Sequence, residues 1–331
     1  MSRRADLITG IASATGIALL ILDSKTALAG AQQGVALCIQ TVIPSLFPFF
    51  LFSILLTSSL MGRQLPFLRP LCRWCRIPEG AQSILIAGFL GGYPVGAQCI
   101  SQALETGQLS PNDAKRLLGF CNNCGPAFLF GMAASLFEAW YAPWILWGIH
   151  IVSALCVGAI IPGRPQKCRM LGKSVISPVQ ALTQSVRIMA GVCGWVVLFR
   201  VLIAFLNRWV LWYPAIEYQV TISGLLELSN GCVALHELSD WKLRFILCAG
   251  FLGFGGLCVT MQTLSVASSK LDKRLYFPGK VLHGCISLCL ACIIQMDRWY
   301  ILLSALTVGI CFAVILRKKQ KNSRIMQPIG V

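Results

Sequence analysis

Phe120–Gly131 reads FCNNCGPAFLFG, inside an apolar run, Leu117–Phe137, long enough to cross a bilayer. Its middle holds Asn122, Asn123, Gly125 and Pro126, poor choices for an uninterrupted helix. In hydrocarbon every backbone N–H and C=O must find a partner within the protein, and a stranded group costs about 2–7 kcal/mol. Pro126 removes a donor and biases Gly125 away from helix. A break also exposes half-helix ends, with free N–H donors at one and free carbonyls at the other. Asn122 and Asn123 add amides that both donate and accept. The stretch therefore predicts an interrupted membrane segment whose break builds a polar site near mid-membrane. The competing reading is a corner buried only for packing.

The rest of the chain places this stretch in a membrane protein. Of 331 residues, 56% are hydrophobic and 12% charged, against about 25% charged in a soluble domain. The net charge of +16 is distributed at the ends of apolar runs, which excludes nucleic acid as a partner and matches cytoplasmic loops. The clusters are Arg3 and Arg4; Arg63, Arg69, Arg73 and Arg76; Arg164, Lys167, Arg169 and Lys173; and Arg317, Lys318, Lys319, Lys321 and Arg324. Most of the 16 cysteines sit in apolar runs as small hydrophobes. The pairs Cys72/Cys75 and Cys121/Cys124 have zinc-like spacing, but one lies in a basic loop and the other in a membrane run, so no metal and no cofactor are expected. The first apolar run has a signal-peptide-like build and is read as an uncleaved helix.

The fold class expected is an all-α polytopic membrane protein with about 8–10 apolar segments, drawn from the runs Leu7–Leu22, Val35–Leu60, Ile84–Ile100, Leu117–Phe137, Trp144–Ile161, Leu182–Leu206, Val220–Leu235, Leu243–Val266, Val281–Ile294 and Tyr300–Leu316. Besides the opening stretch, three are interrupted: by GGYPVG at 91–96 (Gly91, Gly92, Pro94), by ELSNG at 227–231 (Gly231) and by glycines ending in Gly255 and Gly256. AGFLG occurs twice, at 87–91 and 249–253, about half the chain apart; both copies run into a glycine-rich break and then a glutamine, Gln98 or Gln262. With the N-terminus and the 62–76 loop in the cytoplasm, the charge rule turns the two halves antiparallel. Inverted repeats with broken helices mark secondary transporters. Within the polar stretch Glu105–Arg116, Ser110 as N-cap and Pro111 at the first helical position predict a helix start.

Glu227 is an acid in an apolar stretch and a functional candidate by default. Alternatives are solvation at the surface, or pairing with Arg187 or Arg200. Asn230 follows it at the same interruption. His150, Glu138, Tyr93 and the tryptophans read as span or interface residues, and His283 as a lone histidine at a run's start. No Walker A, HExxH, GxGxxG or defensible Ser/His/Asp order is present, so an enzyme is not expected.

The order GGYPVGAQ (91–98), CNNCGPAFLFG (121–131), SGLLELSNG (223–231) and GFGGLCVTMQ (253–262), with IPSLFPFFLFSILL (43–56), resembles the YlbJ-type sporulation integral membrane proteins of the wider nucleoside-recognition, or Gate, domain family. The resemblance covers about residues 30 to 316. It implies a multi-pass protein of the cell membrane of a spore-forming bacterium, needed in spore cortex formation, and kinship with concentrative nucleoside transporters. By position it implies Gln98, Asn122, Asn123, Glu227, Asn230 and Gln262 as substrate-binding residues. Cys124 departs from the pattern. The expected organisation is an N-terminal transmembrane helix (1–30), a first Gate-like repeat (31–162), a cytoplasmic linker (163–180), a second Gate-like repeat (181–316) and a basic cytoplasmic tail (317–331). The function expected is a permease for a small polar solute, with room for a coupling ion and a homo-oligomer and the lipid bilayer as surroundings. The alternative is a non-transporting scaffold for sporulation partners.

Overall fold

A computed structural model describes residues 3–166 and 176–295. The run Tyr300–Leu316, the basic tail, the end of the second repeat and the centre of the 163–180 linker lie outside them. Among the described residues the chain is helical throughout, without strands.

Helix α1 (Arg3–Leu22) is separated by Asp23 from α2 (Ser24–Leu37). The Asp23 carboxylate caps α2 by accepting from Thr26 N at 3.3 Å. A π-helical turn, Cys38–Val42, joins α2 to α3 (Ile43–Leu60), so the span runs from Ser24, earlier than the sequence pattern suggested. Short helix α4 (Arg69–Trp74) precedes α5 (Gln82–Ile86), a second π-helical turn at Ala87–Gly91 and α6 (Val95–Glu105). Helix α7 (Pro111–Leu118) starts where the sequence predicts, with Ser110 Oγ accepting from Asp113 N. Then come α8 (Pro126–Gly131), α9 (Ala142–Ile160) and the long α10 (Pro178–Trp209), which opens with a Ser177/Gln180 capping box. The last five are α11 (Ile216–Leu226), α12 (Leu228–Ala234), α13 (Trp241–Phe254), α14 (Gly256–Val266) and α15 (Tyr276–Gln295).

All four interruptions foreseen in the sequence are present. Both AGFLG copies stand just before a break. The first forms the π-helical turn and meets Gly92 at φ +74° and a cis Tyr93–Pro94 bond. The second ends α13, before Gly255 and Gly256 at φ +83° and +82°. Residues 121–125 are non-helical, and Pro126 is the first residue of α8. The fourth break falls at Glu227, whose backbone is extended, and not at Gly231, which lies inside α12. Gly231 is needed there for another reason: a Cβ would come 2.2 Å from Gly224 Cα, so α11 and α12 touch backbone to backbone.

Five helical stretches among the described residues have the length and apolarity to cross a membrane: Ser24–Leu60, Ala142–Ile160, Pro178–Trp209, Trp241–Val266 and Tyr276–Gln295. Large apolar side chains such as Leu7, Ile17, Phe52, Leu198 and Leu202 are exposed on the outside, as a lipid-facing surface requires. Polar side chains are inside instead, among them Asn122, Asn123, His150, Glu227, Lys280 and His283.

Arg116 shows that a basic residue beside an apolar run need not be a solvated loop charge. It is 2% exposed. Its guanidinium donates to Ile161 O (3.2 Å), Gly158 O (3.1 Å), Arg76 O (2.7 Å) and Cys75 O. These carbonyls belong to the C-terminal ends of α9 and α4, where helices leave acceptors unpaired. Neighbouring Lys115 instead bonds Asp272, between α14 and α15, at 2.8 Å in a partly exposed pair. Hydrogen bonds from Arg274 and Lys115 hold the Asp272 carboxyl well below the usual carboxylate range. Stranding buried carbonyls costs about 1–3 kcal/mol each, whereas an exposed ion pair is worth about 0–1 kcal/mol. Arg116→Met is therefore expected to lower the melting temperature of the purified protein by far more than Lys115→Met; equal shifts would contradict the assignment.

Candidate functional site

The CNNCG break is held by close backbone contact and by side chains from far along the chain. Gly88 and Gly96, on either side of the first AGFLG break, leave room for Cys121 O; a Cβ at either would meet it at 2.3 or 2.2 Å. Asn123 N donates to Gly88 O at 3.2 Å. Asn123 Nδ2 donates to Phe120 O at 2.7 Å, while its Oδ1 is buried without a partner. Asn122 Oδ1 accepts from Ala97 N at 3.2 Å, satisfying a donor near the start of α6. Asn122 Nδ2 donates to Thr263 Oγ1 (2.9 Å) on α14 and to Tyr276 OH (3.4 Å) on α15.

Three residues complete this network that the sequence reading underrated or passed over. Cys124 N donates to His150 Nε2 at 3.1 Å. His283 Nε2 lies 3.0 Å from His150 O, and His283 Nδ1 lies 3.0 Å from Lys280 Nζ. Lys280 Nζ also reaches Asn122 O at 3.4 Å and stands 4.9 Å from the centre of the Tyr93 ring. Tyr93 is thus no interfacial anchor: it is buried, with its hydroxyl 3.4 Å from Leu252 O. His150 and His283 are each 1% exposed, so neither is an interface residue. The available signal was the presence of ionisable groups in apolar helices, which applies to Lys280 as it did to Glu227.

Glu227 is 1% exposed, which rules out solvation at the surface. It pairs with neither arginine: Arg200 Nη2 bonds Gln33 Oε1 at 2.6 Å, and Arg187 lines a separate opening. Its carboxylate accepts from Ser229 N (3.0 Å), Asn230 N (2.7 Å) and Asn230 Nδ2 (2.7 Å), capping α12 at the break.

The candidate residues fall into three places. Glu227 and Gln262 line a cavity of about 30 Å³, together with Ser229, Tyr93, Cys124 and Gly125. It is about the size of one water. Elements of both halves of the chain form its wall, with the CNNCG break on one side and the Glu227 break on the other. Asn230 stands beside it through its bond to Glu227, and Gln262 Nε2 also lies 3.3 Å from Cys258 Sγ. Asn122 and Asn123 belong to the buried network instead. Gln98 lines a different cavity of about 110 Å³ with Thr57, Ser58, Gln102, Gln108 and Gln184. There Thr57 Oγ1 and Gln98 Oε1 are buried without partners. Gln98 and Gln184 also border an open cleft of about 550 Å³ beside Arg187. The six residues thus do not converge on one chamber. Among the described residues no three His, Cys, Asp or Glu side chains form a metal-binding group.

Spans broken at buried polar sites, with apolar faces outward, define the class: a polytopic, all-helical integral membrane protein with interrupted membrane helices. Comparison with curated proteins finds similarity to the sporulation integral membrane protein YlbJ of Bacillus subtilis (strain 168), 25% identical over 317 residues, covering 81% of this chain and 77% of the relative. The chain is YlbJ-like, as its motif order implied; the Gate part of the resemblance rests on the motifs alone. No family model and no solved structure matches the chain.

Glu227→Gln tests the capping role. An amide retains one acceptor oxygen but turns an NH₂ toward a backbone N–H. With its oxygen on Asn230, it strands the Ser229 donor, at a cost of about 1–3 kcal/mol. The variant is expected to melt several degrees below wild type; an unchanged melting temperature would show that the cap contributes nothing.

Proposed function

We propose that this protein is a secondary permease for a small polar solute in the cell membrane, acting during sporulation. One observation carries the reading: breaks from the first and second halves of the chain line one small cavity together with an intramembrane acid. Irregular backbone at membrane depth is tolerated where it lines a cavity or is buried in protein, and transporters place their sites at such breaks. Further support is that both AGFLG copies directly precede a break, as an internal duplication requires. The sporulation role is taken from the similarity to YlbJ.

In this reading the halves are inverted repeats, and the N-terminus, the basic loops and the basic tail face the cytoplasm. Solute passes from the Gln98 cavity toward the Glu227–Gln262 cavity as the halves rock. The small volume of the inner cavity belongs to a closed form, and opening must separate the Tyr93–Gly125 wall from the Glu227–Gln262 wall.

Gln262→Leu removes an amide from the inner cavity with little change of volume. It is expected to leave membrane levels normal and to abolish function. The measurement is recovery of heat-resistant spores in a Bacillus strain that lacks YlbJ and carries this chain. Wild-type recovery by Gln262→Leu would favour a scaffold over a permease.

A further inference from the structure

Lys280 is 0% exposed and sits in a membrane-spanning helix. Among the described residues no carboxylate pairs with it. An isolated buried amine is costly, so its surroundings must do for it what water or an acid would. Three groups stand around it: Asn122 O at 3.4 Å, His283 Nδ1 at 3.0 Å and the face of Tyr93 with its centre 4.9 Å away. The nearby titratable side chains are His283, His150, Tyr93, Tyr276 and Cys124, none of them an acid of the carboxylate type.

The position of Asn122 O gives the arrangement its meaning. It is a carbonyl of the unwound CNNCG segment, without a helical partner. Unwound carbonyls at membrane depth are where transporters bind sodium. Here α15 is brought close enough to deliver an amine to that place: a Cβ on Gly279 would come 2.3 Å from Gly119 O, at the end of α7. The histidines extend the hold. With His283 Nδ1 accepting from Lys280, its Nε2–H donates to His150 O, and His150 Nε2 accepts from Cys124 N. One chain of bonds thus runs from Asn122 O through α15 and α9 back to Cys124 N, clasping both sides of the break.

We propose that Lys280 is a tethered cation, an amine of the chain itself occupying the place a monovalent metal ion would take at the unwound carbonyl, so that the break is held without sodium. The inference rests on the broken segments and not on solute transport, and its test reads binding through stability alone.

The test is the melting temperature of the full-length protein in nanodiscs, at fixed ionic strength in sodium, potassium or choline chloride. Wild type is expected to melt at the same temperature in all three. Lys280→Ala is expected to melt several degrees lower in choline and to recover part of that loss with sodium or methylammonium, but not with the bulkier tetramethylammonium. Lys280→Met, which fills the space without a charge or donor, is expected to stay low in every salt. A wild-type melting temperature raised by sodium over choline would overturn the proposal, because the site would then need a separate ion. Lys280→Met as stable as wild type, or a folded Lys280→Ala that answers neither sodium nor methylammonium, would overturn it as well. Should Lys280→Ala not fold, the wild-type salt comparison and Lys280→Met decide.

Discussion

The structure depends on one requirement: a peptide group inside the membrane must be hydrogen-bonded by the protein. A continuous helix meets it without help. Among the described residues this chain abandons the membrane helix at four places, and each break is then answered by a specific device. At Glu227 a carboxylate caps the next helix. At Gly92 and Gly255 the backbone turns through conformations open to glycine. At 121–125 backbone partners come from Gly88 in the first π-helical turn, from α9 and from α15, and the Asn122 side chain ties in α6 and α14.

That dependence makes the CNNCG segment the junction of the molecule. The Asn122 side chain bridges α6 of the first half to α14 and α15 of the second. The His150 and His283 rings lie with centres 4.6 Å apart, tilted by 34°, and link α9 to α15. Close backbone approaches at Gly88, Gly96 and Gly279 set the distances over which these bonds form. A polar network of this kind is fully satisfied or a liability, and the unpaired Oδ1 of Asn123 and Nδ1 of His150 mark where it remains open. The small cavity beside Glu227 borders this junction, so motion that opens the cavity must rearrange it.

Breaks were legible in the sequence because glycine, proline and asparagine in an apolar run act locally, through φ, a missing N–H or a side-chain amide. The helix start at Ser110 and Pro111 was legible for the same reason. Partners across the fold were not. Lys280 stands near the start of α15, where a lysine reads as a span end, yet the carbonyl it reaches lies 158 positions earlier. His150 and Tyr93 resembled interface residues because nothing local distinguishes a buried ring from an interfacial one; their partners are 133 and 159 positions away. Gly231 was misread as a break because the local pattern could not show that Glu227 interrupts the helix and that Gly231 serves the packing of α12 on α11. Arg116 looks locally like a loop cation, although its ligands are the ends of two other helices.

Amide hydrogen exchange of the full-length protein in nanodiscs tests the central claim most directly. If buried side chains and close backbone contacts satisfy the interruptions, peptides covering 121–125 and 227–231 will exchange as slowly as the middles of α9 and α13, and far more slowly than the polar turn at 106–108. Exchange in those two stretches as fast as in the turn would mean that water, and not the protein, completes the broken backbone, and the account would fail.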